Sequence, residues 1–358
     1  MTHSYYMIAL FNHKGGVSKT TTTFNLGWSL ANQGKRVLMI DGDPQCNLTG
    51  MSLSLAGNAD FESFYEKNKA VNLFEALRPA FDALPERLKP VECFEIKKRP
   101  GLFLLPGHVR MSEYDIPLGV AHELTGSFGV MKNLPGAISA LIRETAKELK
   151  ADFVLADLSP AISSLNQNFV MSSSHFIVPC NPDYFCSLAI DSLSDVLPRW
   201  AEWPDKAVKS GLFQGAAYPV PSHRPLFLGT INQRFRPRYG APASAFKMWI
   251  TRINERVQKK LVPVFEKYRM LMPPDLYKQI SVNSEPFNLA NIADFNSLIA
   301  RSQDYNVPIF ELSDKQLETV GKVLKTMKES RDQFDHLFKS LAISVITATA
   351  GSGLALSA

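Results

Sequence analysis

The stretch that decides the fold is His13-Lys14-Gly15-Gly16-Val17-Ser18-Lys19-Thr20-Thr21. It follows an apolar run at residues 7–11 and precedes a helix-like stretch at residues 22–33. A glycine-rich turn that ends in Lys-Thr, between a strand and a helix, is the context in which a phosphate-binding loop is expected. Its backbone N–H groups converge at a helix N-terminus, which favours a polyphosphate. The sequence therefore predicts a nucleotide site built from Gly15, Gly16, Val17, Ser18, Lys19, Thr20 and Thr21.

Side chains at the end of this loop have expected roles. Lys19 is expected on the β- and γ-phosphates, and the Thr20 hydroxyl is expected to reach Mg²⁺. The common spacing G-x-x-x-x-G-K-[ST] is not met, because His13 and Ser18 stand at the two glycine positions. The loop instead carries an additional lysine, Lys14. Taken alone, it could also be a Gly-Gly hairpin with two solvated lysines.

Six apolar runs predict strands, at residues 7–11, 36–40, 101–105, 153–156, 175–178 and 226–231. Helix-like patterns lie at 137–149, 246–268 and 314–341. Continuous apolar strands separated by helices indicate an α/β fold with a mostly parallel, doubly wound sheet and helices on both faces. Ligands are then expected at the carboxyl ends of the strands.

The 358 residues are expected to form a single domain at 1–341 and a C-terminal tail at 342–358. Elaborations are predicted at about 51–100, which holds mixed helix and loop, and at 203–224, which is predicted to be an exposed loop. The tail is expected to fray after Ala348. An apolar stripe in the last helix is predicted to pack on the core or to contact a partner, and it comprises Leu317, Val320, Val323, Leu324 and Met327.

Composition restricts the location of the protein and its partners. The four cysteines, at positions 46, 93, 180 and 186, form no C-x-x-C pair and are expected to be reduced thiols. No run of 18 apolar residues predicts a membrane span, and no leader pattern is present, so a cytoplasmic location without membrane contact is expected. The net charge of +5 permits nucleic-acid binding without requiring it.

Two aspartates follow the second predicted strand in the sequence Asp41-Gly42-Asp43-Pro44-Gln45. Paired carboxylates beside a phosphate loop require a cation, which Mg²⁺ on a nucleotide supplies. Asp43 is expected to orient the attacking water or to contact Mg²⁺. By itself the same sequence could be a turn with a helix cap.

A third aspartate, Asp157, follows the fourth predicted strand. A carboxylate in this position is expected to hold Mg²⁺ through a water, although it could also cap a helix. The predicted metal ligands are therefore Thr20, Asp43 and Asp157.

The Lys-Gly-Gly-x-x-Lys-Thr loop resembles the deviant Walker A motif of the ParA/MinD family of ATPases. The Asp43 stretch is similar to switch I of that family, and Asp157 with Pro160 resembles switch II, where Ser159 departs from the usual Asp-x-Pro-Pro. Asn166 and residues 179–184 also resemble ParA-type sequences, and Asn232 resembles the asparagine near the adenine. The resemblance runs from residue 7 to about 338 and is weakest in the two elaborations.

The resemblance implies a function for Lys14. In this family the additional lysine reaches the partner's phosphates across a nucleotide-sandwiched homodimer, where it stabilises developing charge. The implied catalytic residues are Lys14, Lys19 and Asp43, and the cofactors are ATP and Mg²⁺. A partner that stimulates hydrolysis is also implied.

The segment 233–269 carries ten lysines and arginines and only two acidic residues. On a helix, Arg252, Arg256 and Lys259 share one face. This face is predicted to neutralise phosphates of nonspecific duplex DNA, or else to be an ordinary solvated surface. The candidate DNA contacts are Arg234, Arg236, Arg238, Lys247, Arg252, Arg256, Lys259 and Lys260.

The expected function is that of a ParA-like ATPase, which dimerises around Mg-ATP and positions DNA or another large cargo through slow hydrolysis. If DNA binding holds, nucleoid association is expected. The main alternative is an ATP-dependent protein switch or scaffold that never touches DNA. A metabolic P-loop enzyme is a third possibility, but no further catalytic constellation supports it.

Overall fold

The computed structural model describes residues 3–55, 61–123, 129–209, 211, 213–235, 237–238, 241–242, 244–282, 285–305 and 307–357. The strands are β1 (Ser4–Leu10), β2 (Val37–Asp41), β3 (Phe94–Glu95), β4 (Leu102–Leu105), β5 (Phe153–Asp157), β6 (His175–Cys180), β7 (Leu226–Phe235), β8 (Pro237–Arg238), β9 (Ala241–Pro242), β10 (Asn288–Ala293) and β11 (Leu356–Ser357). The α-helices are α1 (Lys19–Asn32), α2 (Asn47–Leu55), α3 (Phe61–Lys67), α4 (Leu73–Phe81), α5 (Asp115–Glu123), α6 (Leu134–Leu149), α7 (Ser164–Ser172), α8 (Tyr184–Lys209), α9 (Ser244–Arg256), α10 (Val262–Lys267), α11 (Pro274–Ile280), α12 (Asn296–Asp304) and α13 (Gly321–Ser352).

The main sheet has the strand order β10-β7-β6-β1-β5-β2-β4-β3. All pairs along this path are parallel except β3–β4, and β11 adds an antiparallel contact to the amino end of β1. Leu10 of β1 and Asp41 of β2 both pair with Asp157 of β5. The ends of three neighbouring strands therefore lie at one level, and the loops that follow them meet there.

Helices cover both faces of the sheet, as the continuous apolar strands predict. In β1 the side chains alternate, with Met7 and Ala9 in one buried cluster and Ile8 in the other. The first cluster includes residues of α4, α6, α7 and α8, and the second includes residues of α1, α11 and α13. The mostly parallel, doubly wound α/β prediction is confirmed.

All six predicted strands are present, with bounds shifted by a few residues. The sequence did not predict β3, β8, β9, β10 and β11, four of which are only two residues long. The predicted helix at 246–268 is also helical, although it is divided by a π-helical turn, Val257–Leu261. That turn lies between α9 and α10.

Two expectations about loops and ends are wrong. The exposed loop expected at 203–224 starts later, because α8 continues to Lys209 despite Pro198 and Pro204 in its interior. The segment after Ala348 does not fray: α13 continues to Ser352, and β11 then pairs with β1. Burial of Val345 and Ala348 stabilises this last part of the helix.

The helix expected at 314–341 is interrupted, because Glu318 takes a left-handed conformation between a 3₁₀ turn, Asp314–Leu317, and α13. This break splits the predicted apolar stripe. Leu317 is fully buried, whereas Val320 and Val323 are 83% and 58% exposed. Core packing is thus confirmed for only part of the stripe. Among the described residues, no helix is both long and apolar enough to cross a bilayer.

Candidate functional site

The loop between β1 and α1 is fixed by hydrogen bonds to its own start and to the loop after β6. The buried Asn12 accepts a bond from the Lys14 backbone N–H (3.0 Å) and donates to the Pro179 carbonyl (2.8 Å). Asn181 donates to the Gly16 carbonyl (3.0 Å). Gly16 has φ of 71°, a conformation that glycine adopts without strain. The loop is therefore preorganised, with α1 starting at Lys19.

Lys19 lies in the loop concavity and is only 7% exposed. Its ammonium donates to the carbonyls of Asn12 (3.0 Å) and Lys14 (3.4 Å). Burial lowers the pKa of Lys19, while the nearby carboxylates of Asp157 and Asp43 act in the opposite direction. Neutral carbonyls are weaker partners for an ammonium than phosphate oxygens. An anion in the loop would therefore find a cation already in place.

Asp157 and Thr20 face each other at the end of β5. The Thr20 hydroxyl donates to Asp157 Oδ2 (2.6 Å), whereas buried Asp157 Oδ1 has no hydrogen-bond partner among the described residues. Burial raises the pKa of Asp157 to about 8, and the charge of Asp41 adds to this effect. A buried carboxylate oxygen without a partner is expensive, so the pair is suited to a cation.

The two aspartates at the end of β2 and just after it, Asp41 and Asp43, differ in their surroundings. Asp41 is fully buried, and its Oδ2 accepts bonds from the backbone and hydroxyl of Thr49, both at 2.7 Å. Burial raises the pKa of Asp41 to about 6. Asp43 is 6% exposed, accepts a bond from Gln45 N (2.9 Å) and lines the cavity over the loop. Asp41 is therefore a structural group that anchors α2, and Asp43 is the one that faces the site.

A cavity of about 1010 Å³ lies over the loop. Its floor is formed by residues 16–21 and its walls come from α1, α2, α3 and α12. The non-loop walls include Phe24, Met51, Phe61, Tyr65 and Ile299. A polar floor with partly apolar walls suits a ligand that has both a charged and an apolar part.

Lys14, the additional lysine, does not line the cavity formed by the described residues and forms an ion pair with Asp183, next to the N-terminus of α8. The Lys14 side chain is 22% exposed and that of Asp183 is 41% exposed. The predicted loop residues Gly15 to Thr21 lie at the same sheet edge as Asp43 and Asp157. The sequence-predicted phosphate and metal residues are therefore brought together.

Asn232 is placed differently from the other candidates. It is fully buried in β7 and donates to Asn291 (3.0 Å) and Asn288 (3.3 Å) of β10. It does not line the cavity formed by described residues. Asn166 donates to the carbonyls of Ser159 and Ala161, so it supports the loop after β5.

The basic segment is only partly described. Arg236 lies outside the described residues, and for Arg234 and Arg238 only the strand backbone is described. The side chains of Lys247, Arg252, Lys259 and Lys260 are exposed. Arg252 lies over the Trp249 ring, with its guanidinium carbon 4.9 Å from the ring centroid.

Two of these cations have acidic partners. Arg256 is half-buried and forms an ion pair with Asp191 of α8, and Lys259 pairs with Glu255 at 3.1 Å. The face expected to be shared by Arg252, Arg256 and Lys259 thus carries less unpaired positive charge than the sequence indicates.

Sequence reasoning missed the roles of Asn12, Thr49, Asn181 and Asp183. Asn12 directly precedes the loop, and Asn181 and Asp183 belong to a stretch that already resembles ParA-type sequences. Their contacts join segments far apart in the chain, and so no local pattern shows them. Thr49 gives no sequence signal, since a threonine in the first turns of a helix is common.

Comparisons with known proteins agree with this geometry. The profile of the AAA domain family, AAA_31, matches residues 5–205. Sporulation initiation inhibitor protein Soj of Bacillus subtilis is 28% identical over 192 residues, which cover 53% of this chain and 63% of Soj. Chromosome partitioning protein ParA of Caulobacter vibrioides is 26% identical over 198 residues, which cover 54% of this chain and 62% of that ParA. The chain thus spans less than two thirds of the length of these curated relatives.

Two solved structures have the same fold. Protein DIP2308 from Corynebacterium diphtheriae superposes with a TM-score of 0.62 at 17% identity, covering 96% of this chain and 98% of that one. The ATP complex of a Cyanothece McdA variant gives a TM-score of 0.55 at 18% identity, covering 92% and 97%. Together with the phosphate loop, the aspartates after β2 and β5 and the additional lysine, these matches show that the chain belongs to the AAA domain family, as a P-loop protein of the ParA/MinD type.

Proposed function

We propose that this protein is a ParA-like Mg-ATPase that forms an ATP-sandwich dimer and is reset by slow hydrolysis, to partition or position DNA or another large cargo. The main support is the convergence of Lys19, Thr20 with Asp157, and Asp43 at one edge of the sheet, around a cavity large enough for a nucleotide. The named functions of Soj and of the Caulobacter ParA support the choice of process.

A magnesium ion fits the residues at this edge. Asp157 Oδ1 is buried and has no partner within the described chain, and the Thr20 hydroxyl lies beside the same carboxylate. Magnesium prefers such oxygen ligands and usually keeps waters and substrate phosphates as well. Among the described residues, no group of three or more His, Cys, Asp or Glu side chains is arranged to hold a metal by itself. This suits a cation that arrives with the nucleotide.

When bound, Mg-ATP supplies the phosphoryl group, and the chain binds and orients it. Lys19 exchanges its carbonyl partners for the β- and γ-phosphates, while backbone N–H groups from Gly15 to Thr21 bind phosphate oxygens. Asp43 orients the attacking water from the cavity wall. Thr20 and Asp157 hold the cation. Positioning and charge stabilisation account for most of the catalysis in such reactions.

Dimerisation is proposed from Lys14. Its ammonium lies at the edge of the site, is partly exposed and is not used by its own phosphate loop. In a sandwich of two chains, each Lys14 reaches the phosphates bound by the partner. ADP offers this lysine less negative charge than ATP, so the dimer depends on the γ-phosphate.

DNA binding is proposed for the segment that includes α9 and the turn after it. The exposed side chains of Lys247, Arg252, Lys259 and Lys260 are the described candidates, and Arg234, Arg236 and Arg238 extend the segment in sequence. Such contacts neutralise phosphates without reading bases. A partner protein that stimulates hydrolysis belongs to the same proposal.

The second candidate function is an ATP-dependent protein switch that regulates a partner complex without DNA. The ion pairs Arg256–Asp191 and Lys259–Glu255 favour it, because they reduce the free positive charge of the basic segment. Apolar side chains at the start of α8 also favour a protein partner: Tyr184 and Phe185 are 53% and 68% exposed.

The two functions are distinguished by retention on nonspecific duplex DNA, measured for the Asp43→Ala variant in ATP and in ADP over a salt series. The Asp43→Ala variant is expected to stay in the ATP-bound state, because Asp43 is the residue proposed to orient the attacking water. Retention only in ATP, and lost as salt rises, supports the DNA-based cycle. ATP-dependent dimers that are not retained at any salt concentration favour the protein switch. A Lys19→Ala variant controls for retention that does not depend on nucleotide.

A further inference from the structure

The ion pair between Lys14 and Asp183 lies within one chain. Lys14 is the residue that the proposed dimer needs on the partner's phosphates, yet here its ammonium contacts Asp183 Oδ2. Both side chains are partly exposed, at 22% and 41%. The cation that must cross to a second subunit is therefore already bound by a carboxylate of its own subunit.

The carboxylate of Asp183 is itself held in place. Its other oxygen, Oδ1, accepts a hydrogen bond from the Cys186 backbone N–H at 2.8 Å, in the first turn of α8. This bond satisfies a helix N–H that has no partner inside the helix. Asp183 therefore has two separate partners, one on each oxygen, and only one of them is Lys14.

The backbone of Lys14 is held as well. Its N–H donates to Asn12 Oδ1 at 3.0 Å, and Asn181 bonds the carbonyl of Gly16 at 3.0 Å. Asn12 is in turn bonded to the Pro179 carbonyl of β6 at 2.8 Å, so two hydrogen bonds connect the phosphate loop to the end of β6 and the loop after it. These bonds position the backbone segments that carry Lys14 and Asp183.

We propose that Asp183 is a positioning residue that retains Lys14 within its own subunit until the partner's nucleotide phosphates replace the carboxylate. This rests on the sandwich dimer proposed above. Because phosphate oxygens and Asp183 compete for the same ammonium, the ion pair sets how much ATP-bound protein is needed before dimers form. ADP offers less negative charge, and so Lys14 stays with Asp183.

The size of the effect follows from the exposure of the pair. Ion pairs of this kind change an equilibrium by about 1.4- to 5-fold each, and screening by salt reduces this. A symmetric dimer releases two of them. Removing the charge of Asp183 is therefore expected to strengthen ATP-dependent dimerisation by about 2- to 30-fold.

The test uses Asp183→Asn, which keeps an oxygen for the Cys186 N–H but has no charge, in the Asp43→Ala background that holds the ATP state. The dimer dissociation constant is measured by analytical ultracentrifugation in ATP and in ADP. Asp183→Asn is expected to lower the constant in ATP only, by less at high salt, without changing the nucleotide affinity of the monomer. Asp183→Ala, which removes the charge and the helix cap, separates the two roles.

The second part of the test uses the Lys14→Gln substitution. If Asp183 acts through Lys14, then Asp183→Asn changes nothing once Lys14→Gln is present. An unchanged or weakened dimer for Asp183→Asn, while the parent dimerises in ATP, overturns the inference alone. A gain that survives Lys14→Gln also overturns it. If the parent itself stays monomeric in ATP, the sandwich dimer is wrong, and this inference is overturned with it.

Discussion

The phosphate-loop edge and helix α9 are both rich in charge, but their charged side chains are used differently. At the loop edge, Lys19 and Asp157 are 7% and 1% exposed, and their hydrogen-bond partners come from the loop itself and from α1. On α9 and the turn after it, Lys247 and Lys260 are exposed, while Arg256 is paired with Asp191. The fold thus fixes the geometry of the buried charged side chains, whereas exposed charged side chains can pair with any group of opposite charge.

The lesson is that charge density alone does not define a binding face. A buried ion must have compensating groups, so its neighbours are constrained. An exposed ion has no such need, and it pairs with whichever acidic side chain the next helix brings. Motifs at strand ends can therefore be interpreted more securely than a count of basic residues along a helix.

The largest expected effect is at the loop edge. Lys19→Ala should weaken Mg-ATP binding by at least about 100-fold, because it removes more than one charge-assisted bond worth about 1.5–3 kcal/mol each. Isothermal titration calorimetry measures this, with Lys322→Ala at an exposed position of α13 as the matched control. Equal affinities of the two variants for Mg-ATP would contradict the role of the buried Lys19 as a phosphate ligand.

Within the site, substitutions of Asp41 and of Asp43 should have different effects on stability and on hydrolysis. Asp41→Ala should lower the free energy of unfolding by about 2–4 kcal/mol, since it leaves the N–H and hydroxyl of Thr49 buried without their acceptor. Asp43→Ala, at the cavity wall, should cost about 1 kcal/mol or less and should instead slow hydrolysis. Urea denaturation and phosphate release measure the two effects. Similar losses of stability would remove the distinction between the two carboxylates.

A smaller effect is expected for the exposed lysines of α9 and the turn after it. If the basic segment binds duplex DNA, Lys247→Glu with Lys260→Glu should reduce the salt slope of ATP-dependent retention by about 2 units, because each lost phosphate contact removes about one. The control reverses two exposed lysines elsewhere, Lys278 and Lys325. Arg256→Glu alone should change the slope less than Lys260→Glu does, because Arg256 is paired. The same slope for test and control pairs would refute a DNA face on α9.

The smallest effect is expected for a buried titratable side chain at the opposite edge of the sheet. His175 is fully buried between the hydroxyls of Ser174 and Ser352, both at 2.9 Å, and burial lowers its pKa to about 3. The unfolded chain binds a proton near pH 6.5 and the folded chain does not. The stability due to neutral His175 is therefore present above pH 6.5 and is lost as the pH falls towards 3.

Between pH 7 and pH 5.5 this linkage should cost about 1 kcal/mol of unfolding free energy. The cost should be absent in His175→Gln and retained in a His336→Gln control, which alters an exposed histidine of α13. Unfolding by urea at both pH values gives the comparison. Parallel losses in all three proteins would mean that other groups carry the pH dependence.

The sequence predicted the sheet, and which residues meet at its phosphate-loop edge, for a physical reason. Strands buried on both faces are continuous apolar runs, and the candidate residues Lys19, Asp43 and Asp157 lie at the ends of these runs or in the segments that follow them. Strand β10 was missed because its asparagines, Asn288 and Asn291, interrupt the apolar pattern. Asn288 is buried and Asn291 half-buried, and both accept hydrogen bonds from Asn232, which only the folded sheet brings near.

What could not be predicted depends on distant contacts. The Lys14–Asp183 and Arg256–Asp191 pairs each join different elements, and nothing local selects these partners. The last turns of α13 are rich in threonine, alanine and glycine, a composition that favours fraying. They are helical because Val345 and Ala348 are buried and Gly351 lies against Leu276 of α11, and this packing outweighs local propensity.

The pairing of β11 with β1 also has a consequence for synthesis on the ribosome. Ser4 and Tyr5 pair with Ser357 and Leu356, which are made about 350 residues later. The amino end of the strand that leads to the phosphate loop is thus left without its antiparallel neighbour during most of translation. Contacts of such wide sequence separation form slowly. The amino end of β1, in the middle of the sheet, therefore keeps unpaired backbone groups until the segment after α13 is made and docks.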